Sequence, residues 1–135
     1  MTPLLAHAIA VLFLTGLIWT IQLVHYPGFP AVEKRQWPGY HLRHSRRITV
    51  LVLPAMIAEL GISAWLTWTD LNNLHLAFFG LSLFTWVITA LVFLPLHQRI
   101  AVRPTERALR RLVRLNWLRT LAWTACSVLS VLSIM

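Results

Sequence analysis

Six histidines stand in a chain of 135 residues that carries only four carboxylates. Their spacing makes them the first candidates for chemistry. His25, His41, His44 and His97 each lie where a long apolar run meets a basic stretch, so helical runs bring all four to one end of a bundle. Neutral imidazole ligates iron, copper and haem, and helical bundles build such sites from facing side chains. His41 and His44, three residues apart, share a helical face and can chelate together. The four are the candidate ligands of a transition metal ion, iron or copper. Bis-histidine haem needs two inward imidazoles at equal depth, which His25 with His44 or His97 would supply, and His7 with His75 at the opposite end. Arg46 and Arg47 are placed to hold haem propionates or an anionic substrate. A ferritin-type di-iron site is disfavoured, because the chain lacks the Glu-x-x-His pairs that such a site uses.

Glu59 lies well inside an otherwise apolar run. An ionisable group there is costly and is a functional candidate by default, expected to be protonated and hydrogen-bonded. With Gln22 and Asn116, polar residues at the inner ends of the first and last runs, it completes the set of candidate catalytic groups. At 100° per residue, Asn116, Thr120, Trp123, Ser127 and Ser130 make one inward stripe, and His75, Ser82, Trp86, Thr89 and His97 another. The single cysteine, Cys126, falls in the last run and reads as a small packing residue.

The elements that must position these groups are four apolar runs, residues 3–26, 48–69, 74–96 and 115–135. Each approaches the ~20 residues that cross a hydrocarbon core of ~30 Å. They predict an all-α, integral membrane four-helix bundle forming one domain over 1–135. The short turn at Asp70–Asn73 makes the second and third spans antiparallel neighbours. The first run lacks a basic leader segment and is expected to be a span and not a cleaved signal. Leu23-Val24-x-x-Pro27 recurs as Leu91-Val92-x-x-Pro95, each before a basic stretch, which hints at two related hairpins. The stretch between the first two spans, broken by Pro27-Gly28, Pro30 and Pro38-Gly39, is expected to run along the membrane surface.

All twelve Lys and Arg fall between Lys34 and Arg47 or between Arg99 and Arg119. By the positive-inside rule those two loops are cytoplasmic and both termini face outward, in a bacterial inner membrane. A net charge of +8 and a pI near 11.6 would suit nucleic acid, yet 58% hydrophobic residues and a mean hydropathy of +0.68 leave no soluble domain to present it. Anionic inner-leaflet lipid is the expected partner of those charges. Small residues such as Gly61, Ser63, Gly80 and Ser82 allow close helix approach within the chain or in a homo-oligomer.

His7, Gly16-Leu17 and Trp19 in the first run, followed by the His25-Tyr26 pair, resemble the opening of the HemJ-type protoporphyrinogen oxidases, small haem-containing bundles of the inner membrane. Pro54-Ala55-Met56, His75 and Asn116 are similarly placed to motifs of that family. The chain departs from the pattern in lacking a lysine near the first helix start and another after His75. The likeness implies a haem-linked oxidoreductase ancestry. The sequence reading is therefore a histidine-rich membrane protein that oxidises a hydrophobic small molecule with haem or a metal. Its rivals are a non-enzymatic membrane component, or a transporter subunit in which Glu59 relays protons.

Overall fold

The computed structural model describes residues 2–135. Helix α1 spans Pro3–Thr20 and passes through a π-helical turn, Ile21–His25, into the short α2 (Tyr26–Gly28) and a 3₁₀ turn ending at Ala31. Helix α3 is a single element, Trp37–Thr69. Helix α4 (Asn73–Ile88) passes through a second π-helical turn, Thr89–Phe93, into α5 (Leu94–Val102), and α6 spans Glu106–Leu132. The architecture is all-helical, four antiparallel rods in up-down order. The first rod lies between the second and fourth, and the third also contacts both.

Local chemistry sets the helix ends. Thr2 accepts from the Leu5 amide, Asn72 from the His75 amide and Thr105 from the Ala108 amide, each satisfying a donor that has no partner within its own helix. Pro38 occupies the first turn of α3, where a missing N–H costs nothing. That start lies well before the expected span at residue 48, so the basic stretch through His41, His44 and Arg47 is helix and not a surface loop. The other spans are likewise longer than expected: continuous helix covers Pro3–Ala31 and Asn73–Val102, and α6 begins at Glu106.

The two π-helical turns fall on the repeated Leu-Val-x-x-Pro segments. In each, the residue before proline donates five residues back, Tyr26 to Ile21 and Leu94 to Thr89, and proline follows without a donor. Widening the helix at these points turns the residues beyond it relative to the preceding face. The stripe expected from Ser82 to His97 nevertheless keeps one face across the turn, since Trp86, Thr89 and His97 line one cavity.

Three rods, Pro3–Ala31, Trp37–Thr69 and Asn73–Val102, are long and apolar enough to cross a membrane. The fourth expected span, α6, has the length but is less apolar, because Asn116, Arg119, Thr120, Ser127 and Ser130 run along it. These side chains are buried, and so are His7, Gln22, His41, Glu59, Ser63, His75, Ser82 and Thr85. The outer surface meanwhile displays Phe13, Val50, Ile57, Trp65, Trp68 and Leu91. This is a polar seam wrapped in apolar side chains, the inverse of a water-soluble bundle.

Candidate functional site

At the basic end of the bundle the two π-helical turns face α3 and α6, and between the rods lies a cavity of 460 Å³. Its upper wall is apolar, built from Leu14, Ile18, Val52, Met56 and Trp123. Its floor is polar, with Tyr26, His41, His44, His97 and Arg119. Leu42, Leu53 and Leu94 also line it and are exposed on the flank of the bundle, so the cavity opens sideways between α3 and α5.

The floor is one hydrogen-bonded chain. Gln22 Nε2 donates to the Val113 carbonyl at 3.2 Å while its Oε1 accepts from Asn116 Nδ2 at 2.8 Å. Asn116 Oδ1 then accepts from Arg119 Nη2 at 2.6 Å and Nε at 3.1 Å. Arg119 can only donate, which fixes the direction of its own bonds. Its Nη2 donates to the Tyr26 hydroxyl oxygen at 3.4 Å, Tyr26 Oη pairs with His97 Nε2 at 3.0 Å, and His97 Nδ1 pairs with His41 Nε2 at 3.2 Å, the donor in the last two being set by the imidazole tautomer. Phe93, inside the second π-helical turn, lies against the guanidinium, 3.7 Å from ring centre to Cζ. Trp37 closes the end beneath by donating to the Ile100 carbonyl at 2.6 Å.

The four histidines read from the sequence converge here. His25 stacks on His44 at 4.1 Å, His41 lies 5.4 Å from His97, and His44 lies 6.4 Å from His97 between ring centres. The Gln22 and Asn116 candidates also meet, as partners of each other. Arg46 and Arg47 do not join them: both are exposed and neither lines the cavity. The cation of the site is Arg119, which sequence reasoning left in the basic collar. It is buried, and among the described residues no carboxylate lies within ion-pair distance of it. Its spacing from Asn116 and Trp123, three and four residues, places it on the same inward stripe and was the available signal.

Two of the imidazole pairings expected for haem are closed as placed. A macrocycle needs an open slot between two rings, and the stacked His25–His44 pair leaves none. At the opposite end Phe78 stacks on His7 at 4.3 Å and stands 6.2 Å from His75, filling the corresponding space. Nor do three or more His, Cys, Asp or Glu side chains form a group suited to a bare ion among the described residues. No step below is routed through either group.

The groups expected near the other end take separate partners. His7 Nδ1 is 2.8 Å from Ser130 Oγ, and His75 Nδ1 is 2.7 Å from the Asp70 carbonyl. Glu59 Oε2 accepts from Trp123 Nε1 at 3.1 Å. Trp123 lines the cavity, so this indole is the wall between the two polar regions. No protein-family model matches the chain, and no curated protein or solved structure gave a match.

Proposed function

We propose that the cavity binds a membrane-soluble amphiphile through an anionic head, and that the chain is a multi-pass protein of the bacterial inner membrane with its basic end in the cytoplasm. One observation carries the binding reading: Arg119 is buried beside an apolar cavity with no carboxylate to neutralise it. A buried guanidinium is expensive when unpaired, and among the described residues its only side-chain partners are two neutral groups and an aromatic face. An anion entering the cavity supplies the missing charge, and the sideways opening suits a molecule arriving from the bilayer with its tail along Val52, Leu53 and Met56. The Tyr26–His97–His41 chain then offers the head a proton route to the basic end, which is what acid–base chemistry on such a substrate requires.

The binding half is tested with a fatty acid and its methyl ester, followed by tryptophan fluorescence of the purified protein. Trp86 and Trp123 line the cavity and report its filling. The acid should bind at least about tenfold more tightly, as expected for one charge-assisted contact in a desolvated site. Equal affinities, or tighter binding of the ester, overturn the reading.

The orientation half rests on twelve basic residues gathered at one end of the bundle against none at the other. A reporter that folds only outside the cytoplasm should be active when fused after Met135. Activity only from a cytoplasmic reporter at that position reverses the orientation.

A further inference from the structure

Above Trp123 buried polar residues recur among apolar ones up to the end where the termini lie. Glu59, Ser63 and Thr67 recur every four residues on the inward face of α3, and Thr15, Ser127, His7 and Ser130 continue the seam on α1 and α6. Within it, three buried polar atoms have no partner at ordinary hydrogen-bond geometry, Glu59 Oε1, Ser82 Oγ and His7 Nε2, and the Glu59 and Ser82 side chains face each other. All three residues are fully buried, and they come from three different rods. An orphaned atom of this kind ordinarily has a partner, and where none is protein an internal water serves.

Depth relates them. Glu59 lies ten residues below Thr69, the end of α3, and Ser82 nine residues below Asn73, so both sit about 14–15 Å from that end of the bundle. His7 lies four residues from the start of α1, at about 6 Å. Along the axis the remaining 8–9 Å matches the length of three hydrogen bonds of about 2.8 Å, which two waters in line would supply.

We propose that Glu59 is a proton-exchanging carboxyl, served from the terminal end of the bundle through an internal-water site that bridges Glu59 Oε1, Ser82 Oγ and His7 Nε2. The proton leaves the carboxyl for the water and passes to His7 Nε2. The imidazolium so formed releases its Nδ1 proton to Ser130 Oγ, 2.8 Å away, as that hydroxyl gives up its own proton to water at the terminal end of the bundle. The ring has then exchanged one N–H for the other and the carboxylate awaits a proton by the reverse route. The titratable and charged groups buried on the rods packed against α3 are His7 on α1, His75 on α4, and Cys126 and Arg119 on α6; of these Cys126 lies beside Glu59, and Arg119 lies beyond the Trp123 wall. No second carboxylate shares the interior. The inference goes beyond the amphiphile reading and stands whether or not the cavity binds anything.

Infrared spectroscopy of the full chain in lipid tests it, with Glu59→Gln assigning the carboxylic C=O band of Glu59. On transfer to D₂O this band should shift as the proton exchanges. The exchange should slow by at least about tenfold in His7→Phe, which keeps a ring against Phe78 while removing the relay. Ser130→Ala breaks the same route one step further out and serves if the His7 variant does not fold. Absence of a Glu59-dependent band overturns the proposal, as does exchange at the wild-type rate in both variants. Exchange that slows in His41→Phe and not in these two would place the route at the basic end and would equally sink it.

Discussion

Replacing Arg119 by Gln should abolish the preference of the cavity for an anion while leaving the bundle folded. A buried charge pair that loses one member costs roughly 2–5 kcal/mol, so affinity for the fatty acid should fall about thirtyfold or more, and affinity for the methyl ester should hardly change. Arg119→Lys should fall between the two, since an ammonium keeps the charge but not the fork that engages Asn116 Oδ1 through both Nε and Nη2. Stability should move the other way. The unoccupied protein bears the desolvation of Arg119 with only neutral partners, so a neutral side chain of similar reach should raise the melting temperature or leave it unchanged. Loss of both folding and binding in the Gln variant would instead make Arg119 a structural residue held by Tyr26 and Asn116, and would remove the reason to expect an anion.

Arg119 also shows where sequence reading stops. Counted along the chain, it is the last of a run of basic residues that begins at Arg99, and a run of that kind reads as a collar at the lipid headgroups. Counted around the helix, it stands with Asn116 and Trp123 on the face that turns inward. The first count sets orientation and the second sets chemistry, and one residue can belong to both. The α6 stripe was legible because its helix is regular from Glu106 to Leu132, so the 100° rule holds throughout. The corresponding stripe on the third rod survives the π-helical turn at Thr89–Phe93, since Trp86, Thr89 and His97 line one cavity. A proline four residues after a Leu-Val pair marks both such turns, yet proline alone does not distinguish a widened helix from a kinked or broken one.

The convergence of His25, His41, His44 and His97 follows from their positions at rod ends, which the hydropathy pattern gives directly. What each imidazole does there depends on distances of a few ångströms, which no periodicity supplies. His97 is occupied on both nitrogens by Tyr26 and His41, whereas His25 is packed flat against His44. Residues of one type at one end thus divide into a hydrogen-bonded arm and a packing arm. The same holds for Glu59, whose burial was expected from its run but whose partner, Trp123, lies 64 residues away on another rod.

Asn116→Asp gives the sharper test, because it should separate stability from binding. Asn116 Oδ1 already lies 2.6 Å and 3.1 Å from the two guanidinium nitrogens, so an aspartate there would give Arg119 its counter-charge in place. The substitution also removes the donor to Gln22 Oε1 and turns two acceptors toward each other, which costs on the order of 1 kcal/mol for the lost bond. Neutralising a buried cation through a bidentate, charge-assisted contact outweighs that loss, and thermal unfolding of the purified protein should occur at a higher temperature than in the wild type. The same carboxylate occupies the charge that the ligand would meet, so fatty-acid affinity should fall by at least about tenfold. Opposite movement of the two readouts is what an anion site without its anion requires. A variant that is less stable and binds as well as the wild type would mean that Arg119 already has its partner in the neutral floor, and that the cavity recognises its occupant by shape alone.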